Sequence, residues 1–431
     1  MEDLGSRLAE LGDRGLLRTL RTVSGAQGPR VVLDGRTVTL LCSNNYLGLA
    51  EHPSVREAAA EAALRLGVGA GASRLVSGNM DIHAELEASL AELKGYERGL
   101  LFGSGYLANA GAVAALAGPR ETVLSDELNH ASIVDGCRLA RAETFVYRHA
   151  DPEHLAFGLE RARAAGRPGA VVVTDGVFSM DGDVAPLSDV VALARRHGAR
   201  VMVDEAHATG AIGPGGRGTV AAAGLEDEVD VVVGTLGKAL GSYGAYVCCD
   251  ENTARYLVNT ARTLIFSTAP PPPAVAGALA AIGVLRAEPE RVDKLADNAG
   301  ALRAALAQEG LEVAAGQTQI VPLVLGEPGA TVRACERALG DGVFAQAIRP
   351  PTVPEGTSRL RLTAMATHSE EELRRAARVL AAAVRAEAGV TAGTNLDSAG
   401  AGAPRLGALG PTQSADAVAH EASLAALRGA A

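Results

Sequence analysis

The chain has 431 residues, 48% hydrophobic and 21% charged, a balance that excludes wholesale disorder, a collagen-like repeat and a disulfide scaffold. Its 40 basic and 50 acidic side chains leave a net charge of -10, so a nucleic-acid backbone or an anionic membrane would be repelled at long range. The 5 cysteines are odd in number and lack CxxC pairing, and the N-terminus carries Glu2, Asp3, Glu10 and Asp13, which together point to a reduced, cytoplasmic protein without a targeting segment.

In chain order, residues 4–21 place Leu8, Leu11, Leu16, Leu17 and Leu20 on a rough stripe and predict an amphipathic helix packing on something larger. A second helix is expected over 84–94, closed by Gly95. Three valine-rich runs follow at 171–173, 201–203 and 231–233, short and apolar on both faces, with helical stretches between them. That is the pattern of strands buried in a parallel sheet covered by helices. Residues 187–200 predict one of those helices, with Gly198 near its end, and Cys248 and Cys249 read as strand residues. The prolines at 270–273 read as a run that no helix or central strand contains, and a domain boundary is placed near Arg286. A last strand is expected at 360–363 and an alanine-rich helix at 370–387. The longest apolar run, 274–285, is too short to cross a bilayer. The expected organisation is therefore an N-terminal helix with short strands (1–45), a large α/β domain (46–285), a smaller C-terminal α+β domain (286–388), and a low-complexity, unstructured tail (389–431).

Ligands of open α/β sheets sit at the carboxyl ends of the strands, so the residues just after each valine run are where chemistry is sought. After 201–203 come Asp204, Glu205, Ala206 and His207; after 231–233 come Gly234, Thr235, Leu236, Gly237 and Lys238; after 171–173 comes the polar stretch 174–183 with Ser179. A lysine and an aspartate at neighbouring strand ends suit pyridoxal 5'-phosphate (PLP). The amine forms a Schiff base with the aldehyde, and the carboxylate keeps the ring nitrogen protonated so that the ring accepts electrons. Lys238 fits the first role and Asp204 the second. The stretch Gly103-Ser104-Gly105-Tyr106 offers backbone N–H groups at a helix start for the phosphate, Thr235 a hydroxyl, His207 a donor to the phenolic oxygen, and His130 a ring to lie flat on the cofactor. Taken alone, Lys238 reads as a solvated helix start and Asp204 as a helix cap; the constellation favours function. Gly67-Val68-Gly69-Ala70-Gly71 and 234–238 lack the context of nucleotide-binding loops, and no metal-ligand spacing is present.

Four segments occur in family order: Ser43-Asn44-Asn45-Tyr46-Leu47-Gly48-Leu49, Ser73-Arg74-Leu75-Val76-Ser77-Gly78, Asp175 to Asp183, and the Lys238 segment. Over about residues 17–388 the chain resembles the α-oxoamine synthase family of fold-type I PLP enzymes. The resemblance implies an aspartate aminotransferase-like fold, with a large mostly parallel-sheet domain and a smaller α+β domain, and a homodimer with a shared active site. The stretch 347–363 is similar to the branch that condenses L-alanine with a pimeloyl thioester, on CoA or an acyl carrier protein, with loss of CO2. In that branch Lys238 would act as the base at the amino-acid Cα beside His130, Asp204 and His207. Arg361 would bind the amino-acid carboxylate with help from Asn45, His130 and Thr352 would touch substrate, and Ser179 would bond the cofactor's oxygen. Ser267 with Thr268 would reach the neighbouring subunit's phosphate. The alternation of Arg359 and Arg361 with Leu360 and Leu362 independently lets an arginine point into a site from a strand with a packed face. The far carboxylate of the acyl group needs a cation, for which Arg18, Arg21 and Arg349 are candidates, Arg18 ahead of Arg21. The sequence reads Asp204-Glu205-Ala206-His207-Ala208 where a second Asp and a Gly often stand in the family. Two alternatives stay open: a sister enzyme using glycine or another acyl-CoA, and a nucleotide-binding α/β regulator without PLP.

Overall fold

The three valine runs become adjacent strands of a seven-stranded sheet in a computed structural model that describes residues 3–167 and 169–393, with side chains to 387. The tail expected over 389–431 lies outside the described residues except for the helical backbone to Gly393. Across the sheet the strands run Arg98–Phe102, Ala245–Cys249, Val231–Thr235, Arg200–Asp204, Ala170–Asp175, Thr122–Asp126 and Glu143–Tyr147. Ala245–Cys249 is antiparallel to both of its neighbours, and the remaining pairs are parallel. Both faces are apolar because successive side chains alternate. Val171, Val173, Met202, Val231 and Val233 join one core, while Val172, Val201, Val203 and Val232 join another. The register sets Asp175 beside Asp204 and Asp204 beside Val233, so the polar residues that follow leave the sheet at a common edge.

The helix of 84–94 begins three residues earlier, as Asp81–Lys94, and Gly95 closes it at φ +79°. Leu187–Arg196 follows the expected pattern, and Cys248 and Cys249 are buried on a strand. Two expectations are corrected. The first helix covers only Leu4–Asp13, because Gly15 turns the chain at φ +62°, and none of its residues is buried. The proline run does not exclude a helix: Pro272 and Pro273 open the helix Pro272–Ala287, where their missing N–H groups would have had no intrahelical partner.

A further core gathers Leu302, Leu306, Val321, Leu323, Leu360, Leu362, Leu373 and Leu380 together with Val31, Val38 and Leu40. It lies between the three-stranded sheet of Ile320–Gly326, Ser358–Thr363 and Gln346–Ile348 and the helix Glu370–Gly393. Residues 31–40 enter this core because Arg36–Leu40 pairs in parallel with Val343–Phe344. Among the described residues no helix is long and apolar enough to cross a membrane.

Candidate active site

Lys238 stands three residues beyond the strand Val231–Thr235, on a turn that returns the chain to Ala245–Cys249 through Gly241 N–H to the Lys238 carbonyl (2.9 Å) and Ser242 N–H to the Leu236 carbonyl (2.8 Å). Its Nζ lies 2.8 Å from His207 Nε2, and His207 Nδ1 lies 2.6 Å from the buried Tyr46 hydroxyl. Tyr46 in turn donates to Asn44 Oδ1 at 3.1 Å. One tautomer satisfies the whole line: Lys238 donates to Nε2, and Nδ1–H donates to Tyr46. Burial pushes the His207 imidazolium well below its usual range, with the charges of Lys238 and Arg361 adding to the effect, so the ring is neutral as the network requires. Burial also lowers the Lys238 amine to about 8, against the opposing pull of Asp204 and Asp175.

Asp204 ends its strand buried, and both its oxygens are held. Oδ2 accepts from Asn109 Nδ2 at 2.6 Å and Oδ1 from Ala206 N–H at 2.8 Å. Asn109 also donates to Ser132 Oγ (2.9 Å), whose hydroxyl lies 2.6 Å from His130 Nδ1, the ring that caps the helix Ala131–Ala140. Ser132 N–H points to that nitrogen as well (3.2 Å), so Nδ1 is an acceptor and the proton sits on Nε2. Burial lowers the pKa of His130, with Lys238 adding to it and Asp204 opposing. Beside Asp204, Asp175 is driven toward its neutral acid by burial and by the Asp204 charge, and its Oδ1 is buried without a hydrogen-bond partner among the described residues.

The helix Gly105–Leu116 starts at the same sheet edge. Ser104 Oγ takes the Leu107 N–H at 3.3 Å and the Ser104 carbonyl takes Ala108 N–H at 3.0 Å, which leaves Gly105 and Tyr106 N–H as the helix's free donors. A Cβ on Gly105 would come 4.0 Å from Thr235 Cβ, an ordinary contact, which sets this helix start beside the strand that leads to Lys238. An anion cradle, a fixed carboxylate and a buried amine of lowered pKa are the donor set that PLP requires, and the residues present fit it.

Arg361 approaches from the strand Ser358–Thr363, whose Leu360 and Leu362 fill the core behind it. It donates to the Ser179 carbonyl, to Asn44 Oδ1 (3.4 Å) and to the Tyr46 hydroxyl (3.4 Å), joining the Lys238 line at its far end. The amide that meets Arg361 is thus Asn44 and not Asn45. Asn45 bonds the Gln27 carbonyl (2.7 Å) and Ala50 N–H (3.1 Å), because the chain turns between the two residues. Arg18 Nη2 lies 3.4 Å from Thr352 Oγ1, and Arg349 clamps the carbonyls of Gly15 and Leu17. Arg21 is already paired with Glu336 and Asp34. Thr268 forms a bridge with Ser73, and among the described residues no hydrogen bond links Ser267 or Thr268 to the Lys238 cluster. Glu205, the departure noted in sequence, is buried against Lys94, Thr219 Oγ1 (2.9 Å) and Val220 N–H (2.7 Å). The sequence reading missed Tyr46, Asn44 and Asn109 as members of the site. Asn109 carries a visible signal, a lone amide in a helix otherwise built of small and apolar residues.

The model of the aminotransferase class I and II family matches residues 36–380. The 8-amino-7-oxononanoate synthase of Geobacter sulfurreducens is 50% identical over 380 residues, covering 88% of this chain and 97% of its own. The protein of that name from Anaeromyxobacter dehalogenans is 51% identical over 370 residues, 86% and 92% of the two chains. Among solved structures, serine palmitoyltransferase of S. paucimobilis with bound PLP superposes with a TM-score of 0.84 at 34% identity, covering 89% of this chain and 97% of that one. The 8-amino-7-oxononanoate synthase of Francisella tularensis, at 24% identity and a TM-score of 0.68 over 81% of this chain and 99% of that one, shares the fold.

Proposed function

Because this chain belongs to the class I and II aminotransferase family and to its 8-amino-7-oxononanoate synthase branch, we propose that it condenses L-alanine with a pimeloyl thioester to give 8-amino-7-oxononanoate, CO2 and free thiol in biotin biosynthesis. It is a PLP-dependent C-acyltransferase with the fold-type I architecture. When bound, PLP supplies an electron sink for the carbon that carries the substrate's amine. The Gly105 and Tyr106 N–H groups with the Thr235 hydroxyl would hold its phosphate, Asp204 its ring nitrogen, Ser179 its phenolic oxygen, and His130 one face of its ring; His207, expected from sequence to donate to the phenolic oxygen, already gives its one N–H to Tyr46. Lys238 would anchor its aldehyde.

The chain's own groups then divide the remaining work. Arg361 takes the L-alanine carboxylate, its guanidinium aimed by the Ser179 carbonyl and Asn44. With its amine free, Lys238 Nζ would remove the proton from the alanine Cα; an amine whose pKa is lowered to about 8 is a usable base near neutrality. His207 accepts a hydrogen bond from that Nζ and fixes its direction without competing for the proton, since burial holds its basicity well below the usual imidazole range. Arg18 and Thr352 meet the acyl chain and its far carboxylate, while Arg349 holds the turn that carries Arg18. Arg18 is preferred over Arg21 because Arg21 is neutralised by Glu336 and Asp34.

A homodimer in which Ser267 and Thr268 serve the neighbouring subunit's phosphate is part of the proposal. It is supported by Val76 and Phe266, 79% and 69% exposed in the single chain and flanking the Ser73–Thr268 bridge. The five unpaired cysteines support a cytoplasmic setting. The observation that carries the reading is the buried Lys238 amine on neutral His207, beside Asp204 at the next strand end. The test is product analysis with L-alanine or glycine against pimeloyl-CoA, pimeloyl carrier protein and acetyl-CoA. Preference for glycine with acetyl-CoA overturns the substrate assignment, and protein that stays colourless with added PLP overturns the enzyme class.

A further inference from the structure

His149 lies outside the machinery described so far, yet its ring is tied at both ends. Nδ1 is 3.0 Å from Asp126 Oδ1 and Nε2 is 2.8 Å from Asp183 Oδ2. Two carboxylates on opposite ring nitrogens require both to donate, so the ring is an imidazolium. Burial alone would lower its pKa, but the two charged hydrogen bonds outweigh it and carry the pKa up to about 10. The ring also stands edge-on to the buried Phe178, with centroids 4.4 Å apart and planes at 86°. Other charged groups nearby are Glu127, which accepts the His149 backbone N–H at 2.9 Å, and the mutually paired Arg148 and Asp151.

The two carboxylates belong to different parts of the site. Asp126 ends the strand Thr122–Asp126 and organises the turn that presents His130, accepting Leu128 N–H on its side chain (2.9 Å) and Asn129 N–H on its carbonyl (3.2 Å). Asp183 sits on the 176–184 loop, which is closed by a Val177–Val184 bridge. That loop presents the Ser179 carbonyl to Arg361, and the Met180 carbonyl and Asp181 carboxylate to Arg359. The other carboxylate oxygen of Asp183 is buried with no hydrogen-bond partner among the described residues, so the His149 ring is what holds this side chain among them. The loop is therefore held by two arginines of the strand Ser358–Thr363, by the Thr318 hydroxyl on the Gly182 carbonyl (2.6 Å), and by the His149 imidazolium on Asp183.

We infer that His149 is a positioning residue: bridging Asp126 and Asp183, it clasps the 176–184 loop so that Ser179 stays where Arg361 needs it to receive the amino-acid carboxylate. This rests on the reading in which Arg361 binds that carboxylate. A loosened loop misaims Arg361 and weakens amino-acid binding, while the acyl end of the site, on Arg18 and Thr352, is untouched. The clasp thus has a kinetic signature that a merely structural histidine would lack.

Holoenzymes carrying His149→Gln, Asp183→Asn and, as a reference, Arg361→Lys are assayed for both substrates together with melting temperature. His149→Gln is expected to raise KM for L-alanine about tenfold, the scale on which displaced positioning groups act, and to leave KM for the pimeloyl thioester unchanged. Asp183→Asn keeps an acceptor but removes its charge, and is expected to raise the same KM about threefold, since a neutral acceptor is roughly half as strong as an ionised one. Because Asp183 is partly exposed, that variant tests the idea even if His149→Gln fails to fold. Unchanged KM for L-alanine in either folded variant, or an equal rise in both KM values, overturns the inference. If Arg361→Lys raises KM for L-alanine while the other two do not, only the inference falls; if Arg361→Lys does not raise it, the reading of Arg361 falls and the inference with it.

Discussion

The ion pair of Lys94 with Glu205 is the sharpest place to test the energetics of the site's foundation, because Glu205 directly follows Asp204. The two side chains are 1% and 0% exposed, so neither charge has water to fall back on. Breaking such a pair from one side leaves an uncompensated buried charge and costs about 3–5 kcal/mol. Glu205→Gln removes the charge opposite the Lys94 ammonium, which keeps Thr209 Oγ1 at 3.3 Å and the Arg217 carbonyl; one amide oxygen cannot serve both Lys94 and the Val220 N–H, so a donor faces a donor and the cost belongs at the upper end of that range. Lys94→Met leaves Glu205 with Thr219 Oγ1 and Val220 N–H, and its cost belongs near about 3 kcal/mol. The double replacement Lys94→Met with Glu205→Met buries no charge. It orphans mainly the Val220 N–H and the Arg217 carbonyl, at about 1–3 kcal/mol each, and so costs clearly less than the two single losses added together. Denaturant unfolding of the four holoenzymes at neutral pH measures the cycle. Single losses below about 1 kcal/mol, or a double loss equal to the sum within about 0.5 kcal/mol, would refute the buried-pair argument. The Asp204 turn has its own backbone bonds, Glu205 N–H to the Val233 carbonyl (2.7 Å) and the Ala208 and Thr209 N–H groups to the Glu205 carbonyl (2.9 Å each), so the folded fraction should keep its PLP spectrum.

Four further outcomes are expected. Lys238→Ala should keep the fold and lose the borohydride-trappable link to PLP; trapping at another lysine would contradict the assignment. Asp204→Asn should lower turnover about a hundredfold or more, the scale of losing a preorganised electrostatic partner, and near-normal turnover would reject its role at the ring nitrogen. Tyr46→Phe leaves His207 Nδ1–H unpaired and Asn44 Oδ1 with Arg361 as its remaining donor, and should cost about 1–3 kcal/mol in thermal or chemical unfolding; a loss under about 0.5 kcal/mol would dissolve the proposed line of donors. Lys238 in the fold titrates at about 8 against an ordinary 10.5, so the unfolded chain binds the extra proton between those values. Apoenzyme stability therefore rises with pH across that window, and the rate of PLP capture rises through about 8; a flat capture rate would show that the amine is not the titrating group.

The part of the site that was legible in sequence lies immediately after apolar strands. Asp204, His207 and Lys238 follow runs whose burial on both faces already marks a sheet interior, and a polar cluster at such strand ends has few structural explanations; Thr235 gives its hydroxyl to the Gly244 carbonyl (3.1 Å). What was not legible depends on which way a side chain leaves an irregular segment. Residues 43–49 have no period of 2 or 3.6, so nothing in them says that Tyr46 and Asn44 face His207 and Arg361 while Asn45 faces Gln27. The turn decides it, through Tyr46 N–H on the Asn44 carbonyl (2.8 Å) and Gly48 at φ +71°. The first helix was drawn too long for a related reason: leucines continue past Gly15, but a residue in the left-handed conformation ends the helix whatever follows it.

The buried groups around Lys238 are shifted in a common direction. Burial lowers His130, His207 and Lys238 and raises Asp175, so each is moved toward its uncharged form. Such an environment would ordinarily drive an amine and a carboxylate into a direct pair, and a lysine so paired would be pushed up in pKa and lost as a base. Here the two are kept apart by their neighbours. Asn109 and the Ala206 N–H occupy Asp204, while Lys238 leans on a neutral imidazole whose other nitrogen is anchored on Tyr46. In the proposed assignment the amides and the phenol would thus reserve the acid for the ring nitrogen and the amine for the aldehyde, so residues with no chemistry of their own contribute to how this enzyme works.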